Sequence, residues 1–84
     1  MTYDPRTAVI HSASAQLTAL TGAEIRVTDE GGSVRVEAPV TDALLRHWTA
    51  AVSVFYLGSE FGLSDTEAGQ FVWIRFDLGK GTRP

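Results

Sequence analysis

Cysteine is absent from the 84 residues, and lysine occurs once, at Lys80. The missing thiols exclude disulfides, iron–sulfur clusters and thiolate zinc sites. Seven Lys and Arg against ten Asp and Glu leave a net charge of −3. That balance argues against a free-standing nucleic-acid binder, because phosphate affinity comes largely from clustered basic side chains. No apolar run approaches the ~20 residues that a membrane span requires. The first twenty residues lack the basic-then-apolar order of a secretory signal. A cytoplasmic protein without a membrane partner is the economical reading. Internal repeats and low-complexity tracts are missing too.

What remains is 44% hydrophobic and 20% charged, a composition that folds and is too apolar for a disordered chain. The length suits one small α+β domain over 1–84, since two halves would each be too small to enclose a core. Short flexible ends are expected at about 1–3 and 79–84. Asp4-Pro5 opens the first helix: Asp accepts free amide hydrogens, and Pro at the first helical position forfeits no bond. Ile10, Ala13, Leu17 and Leu20 follow at helical spacing, and Gly22 stands at the left-handed cap position. Helix one is predicted over about Pro5 to Thr21.

Between Ala23 and Ala38, apolar and polar residues alternate on both sides of Gly31-Gly32, which is the pattern of a β-hairpin. Ile25, Val27, Val34 and Val36 belong to one face. Glu24, Arg26, Thr28, Ser33, Arg35 and Glu37 belong to the other. Thr41 is a good cap for a second helix, with Val40 and Leu45 at hydrophobic-staple positions. That helix carries Leu44, Leu45, Trp48, Ala51, Val52, Phe55 and Tyr56, of which Trp48, Val52 and Phe55 are expected in the core. It ends at Gly58 or at Gly62, and Gly62 with Leu63 behind it is the better C-terminal signature. Ser64-Asp-Thr-Glu67 has capping-box spacing, with room for no more than a short helical turn. Gln70 to Asp77 reads as a strand. The predicted order is α-β-β-α-β, a three-stranded, mainly antiparallel sheet with two helices on one face. A right-handed crossover gives sheet order 2-1-3.

Chemistry is scarce. His11 and His47 lie on different helices without a ligand pair, and each reads as a solvated or capping histidine. Gly58-Ser-Glu-Phe-Gly62 follows a helix rather than a strand, so it is not a nucleophile elbow. Gly31-Gly32 lacks the lysine and helix of a phosphate loop. Asp65 and Glu67 read as exposed turn carboxylates. No catalytic residue, metal site or cofactor can be assembled, and the chain is read as a non-enzyme.

The informative residues lie on the last strand. With Val72, Ile74 and Phe76 under the helices, strand parity puts Phe71, Trp73 and Arg75 on the opposite face. Arg26, Arg35, Glu24 and Glu37 surround them there. Two aromatics of about 150–250 Å² each, rimmed by arginine and glutamate, match the composition of a protein interface. The alternative is a chain tail from Leu78 onward folded over the rings. Tyr56, Phe61 and His47 fall at the edge of helix two; core packing is the default for such an aromatic stripe, and any exposed surplus would enlarge the same or a second interface.

The single hairpin, the Trp-bearing second helix and the ending Phe61-Gly-Leu-Ser…Ala68-Gly-Gln-Phe-Val-Trp-Ile-Arg-Phe76 resemble the BldB-type small regulators of filamentous actinobacteria. The resemblance implies a homodimer without its own DNA-binding motif, partnered with a helix-turn-helix DNA-binding regulator in developmental control. It implies no catalytic residue, and it implies association through the region of Phe71 and Trp73. Two other classes compete with this one. An antitoxin- or immunity-like acidic binder of a basic protein would act by charge complementarity. An RNA binder would stack bases on Phe71 and Trp73, against the net charge and the interspersed Glu24 and Glu37. Covering an aromatic sheet face would also stabilise so short a chain, so self-association at micromolar concentration is expected.

Overall fold

The computed structural model describes residues 5–77. The Asp4 cap, the two expected flexible ends and Leu78 lie outside the described residues. The elements in chain order are α1 (Pro5–Thr21), β1 (Arg26–Asp29), β2 (Ser33–Pro39), α2 (Asp42–Arg46), α3 (Trp48–Phe55), β3 (Glu60–Thr66) and β4 (Gly69–Asp77). The class is α+β, as the pattern indicates. The sheet has four antiparallel strands in the order β1-β2-β4-β3, not three in the order 2-1-3.

α1 keeps its predicted bounds. Gly22 closes it at φ 70, its amide donating to the Thr18 carbonyl at 2.9 Å. Ile10, Ala13 and Leu17 are buried. The buried Thr21 hydroxyl donates to the Leu17 carbonyl at 2.8 Å and accepts the Ala23 amide at 3.1 Å. The Thr41 hydroxyl donates to the Thr21 carbonyl at 3.0 Å while accepting the Leu44 amide at 3.1 Å as the α2 N-cap. One side chain thus ties the end of α1 to the start of α2. Thr41→Ala removes both bonds and is expected to cost about 1–2 kcal/mol. Urea denaturation checks this, and Thr41→Ser should recover most of the loss.

β1 and β2 form the predicted hairpin, with Val27 opposite Val36 and Asp29 opposite Val34. Four residues, Glu30 to Ser33, lie between the paired Asp29 and Val34. Gly31 stands among them at φ 88 and donates its amide to the Asp29 carboxylate at 2.9 Å. The even count keeps the apolar sets on one face. Val36 is fully buried there, whereas Val27, on the outermost strand, is 52% exposed.

The second helix is two helices. The chain breaks at His47 (φ −116, ψ 38), whose amide is shared between the Ala43 and Leu44 carbonyls. In an unbroken helix Leu44, Trp48, Ala51 and Phe55 would share one face. With the break, Leu44, Ala51 and Phe55 stay in the core, and Trp48 turns out to 43% exposure, correcting its core assignment. α3 ends at Phe55, so Gly62 is not a helix cap. Gly58 follows in the turn, where a Cβ would meet Ile74 Cγ2 and the Arg75 carbonyl oxygen, the latter at 2.8 Å.

Glu60–Thr66 is a strand, in place of the expected helix end and short helical turn. It returns into β4 through Glu67 and Ala68, with Gly69 at φ 124. Thr66 Oγ1 accepts the Ala68 amide at 3.1 Å and donates to the Gly69 carbonyl at 2.9 Å. β4 is antiparallel to both β2 and β3, so β2 and β3 run parallel with β4 between them. The added strand is why the order departs from 2-1-3: β4 returns beside β2, which leaves β1 at the edge. Parity on β4 follows the prediction. Val72, Ile74 and Phe76 are buried with Val36, Ala38, Leu17, Leu44 and Val54 in one core.

Candidate functional site

β2 and β4 are central strands, and alternation fixes what they show on the side away from the helices. Phe71 stands between Pro39 and Ser64. Trp73 stands between Glu37 and Gly62, and Arg75 between Arg35 and Glu60. Arg26, opposite Glu37, completes the set from β1. The five residues singled out from the sequence (Phe71, Trp73, Arg75, Arg26 and Arg35) therefore share one face. Among the described residues no helix packs on that side. Leu78 and the residues after it, the alternative cover, lie outside the described residues.

The rings are not bare. A Cβ at Gly62 would meet the Trp73 indole at 2.6 Å, so the ring lies across the strand where its neighbour has no side chain. The Arg35 guanidinium carbon sits 4.7 Å from the ring centre, within cation–π range. Phe71 and Trp73 are consequently half-buried. Beside Phe71 the twisted sheet forms an open concavity of about 650 Å³, bordered by Arg26, Arg35, Glu37, Pro39 and Ser64.

Charge on this face is largely internally matched. Arg35 Nε lies 3.3 Å from Glu37 Oε2, and Arg75 reaches Glu60 at 2.8 Å and Asp77 at 3.5 Å. The Arg35 and Arg75 Nε contacts are ion pairs by distance without hydrogen-bond alignment, and both Nε atoms are otherwise unpartnered. Arg26 makes none of these pairs and is exposed.

A second surface lies on the helix side. Phe61 stacks on Phe55 at 5.4 Å and meets Tyr56 edge-on at 5.2 Å, and Trp48 meets Phe55 edge-on at 5.5 Å. Phe55 is buried, but Tyr56 is 71% exposed, Phe61 42% and Leu63 58%. Tyr56 and Phe61 were legible as edge residues. Trp48 and Leu63 were not, although the alternation Phe61-x-Leu63 is the signal that could have found the strand. His47 is exposed at the α2–α3 junction.

Among the described residues, no group of three or more His, Asp or Glu is arranged to hold a metal ion. No described helix is long and apolar enough to cross a membrane. His11, on α1, and Asp65 and Glu67, both at the β3–β4 turn, are all exposed. No protein-family model, curated protein or solved structure matches the chain.

Proposed function

We propose that this chain is a non-catalytic protein–protein interaction module that takes a partner protein on the open face of its sheet. The observation that carries the reading is the placement of Phe71 and Trp73 at the centre of a face on which no described helix packs, amid Arg26, Arg35, Glu37 and Arg75. Half-buried aromatics with an arginine and glutamate surround have the composition of an interface centre and rim. The matched charges favour a polar protein surface over a polyanion: Arg35 and Arg75 already face carboxylates. Base stacking is disfavoured too, because Gly62 and Arg35 occupy the surroundings of the Trp73 ring. The partner class implied by the BldB-type resemblance is a helix-turn-helix DNA-binding regulator, and a basic toxin-like protein is the competing class.

The test begins with a partner recovered from native extract by the intact protein, identified by mass and then purified. Trp73→Asp should weaken binding of that purified partner at least tenfold, about 1.4 kcal/mol or more, with the far-ultraviolet circular dichroism unchanged. Equal affinity for the folded variant would overturn the assignment of this face.

A further inference from the structure

The two edges of the sheet are built differently. β1 is four residues long, all exposed, with Arg26 and Asp29 at its ends. β3 is seven residues long, and its register with β4 is unbroken from Glu60 to Thr66, so no bulge twists it away. It contains no proline and no lysine, and Phe61-Gly62-Leu63-Ser64 in its middle is uncharged. Among the described residues its outer side pairs with nothing. Of the usual devices that blunt a sheet edge it carries only the charges of Glu60 and Asp65, which flank its uncharged middle.

The same strand borders the exposed rings. At about 200 Å² for each aromatic side chain, the exposures of Trp48, Tyr56 and Phe61 leave about 300 Å² of ring surface in water, and Leu63 adds to it. That falls in the range of the largest apolar patch on a monomer, which is often functional, and here it adjoins an unpaired strand edge.

We propose that β3 is the docking site for a second copy of this chain, the two β3 strands pairing antiparallel about a two-fold axis so that two four-stranded sheets become one. The inference rests on the reading of the chain as an interaction module, but it uses a different surface and leaves the open face free. Self-association thereby moves from the Phe71–Trp73 face, where the sequence suggests it, to the sheet edge.

Strand geometry favours an identical partner. A two-fold normal to the sheet keeps the helix sides together, so each β3 residue faces one of the same parity. An axis at Leu63 sets Leu63 against itself and Glu60 against Thr66. An axis at Gly62 sets Phe61 against Leu63 and Glu60 against Ser64. Glu60 and Asp65 differ in parity, so neither register places them directly opposite, where like charges repel. Each register brings apolar side chains of the two copies together on the helix side, continuous with Tyr56 and Trp48. The ring area falls short of the ~800 Å² per partner of a standard interface. Backbone pairing along the strand supplies the rest, and the dimer should be of micromolar strength.

Sedimentation equilibrium of the full chain across the micromolar range should show a monomer–dimer equilibrium. Leu63→Lys, at an exposed edge position, should raise the dissociation constant at least tenfold with unchanged circular dichroism. Trp73→Asp should leave it within twofold. Because the chain has no cysteine, a spin label on Leu63→Cys reports one site. Either register brings the two labelled backbones within about 10 Å, and strong dipolar broadening is expected above the dissociation constant. A single-chain mass at every concentration would overturn the proposal, and so would a dimer whose labels show no broadening. In those cases Trp73-dependent binding of the purified partner still decides the open-face reading separately.

Discussion

Ile74→Ala is expected to lower the unfolding free energy by about 4 kcal/mol, near the upper end for truncating a buried isoleucine. Ile74 is fully buried on a strand flanked on both sides, opposite the buried Val36 on β2 and Phe61 on β3. The backbone there is held by two ladders and cannot collapse into the space left behind. The cost therefore combines lost transfer energy with a persistent cavity. A chain of 84 residues has about 4–13 kcal/mol in total at ordinary per-residue stability, so this single change consumes much of it. Urea denaturation at fixed protein concentration measures it. Ile74→Val, which leaves a smaller void, should cost about 1 kcal/mol. A loss below about 1.5 kcal/mol for Ile74→Ala would mean that the centre of the sheet is looser than its burial indicates.

The elements that were legible in the sequence are those with local signals. α1 has Pro5, a three-and-four apolar spacing and Gly22, and its boundaries need nothing from the rest of the chain. The hairpin has alternation and a glycine pair. The face assignment of Phe71, Trp73 and Arg75 also survived a wrong strand order, because alternation within one strand is independent of which strands flank it. That is why the open-face residues could be placed together without the correct topology.

What was not legible depends on long-range neighbours. Gly58 and Gly62 look like helix caps in the sequence, yet each marks a close approach to β4, one by Ile74 and Arg75 and the other by Trp73. Nothing adjacent in sequence distinguishes a glycine that ends a helix from one that makes room across a sheet. β3 escaped notice because its apolar residues, Phe61 and Leu63, are exposed and lack the flanking pattern of a buried strand. The break at His47 has no proline or glycine to announce it, and the exposure of Trp48 follows from that break. The partial covering of Trp73 required knowing that Arg35 and Gly62 lie on the two flanking strands.

Gly58→Ala should prove the second most damaging small change, at about 3 kcal/mol, the upper part of the range for overpacking. Its added methyl would overlap Ile74 Cγ2 and approach the Arg75 carbonyl oxygen to 2.8 Å. That same carbonyl accepts the Ser59 amide at 2.7 Å, so it cannot withdraw without breaking the bond that starts β3 against β4. A side chain can shift, whereas a carbonyl held in a ladder cannot. This difference predicts the outcome of a double-mutant cycle. Ile74→Ala opens the space beside position 58, so Gly58→Ala should cost about 1–2 kcal/mol less in that background, and the remainder should persist because Arg75 is unmoved. Gly32→Ala, with nothing within 4 Å of its Cβ, should stay within about 0.5 kcal/mol. Additive losses in the cycle would refute the shared contact, and a Gly58→Ala chain as stable as the parent would refute the close approach itself.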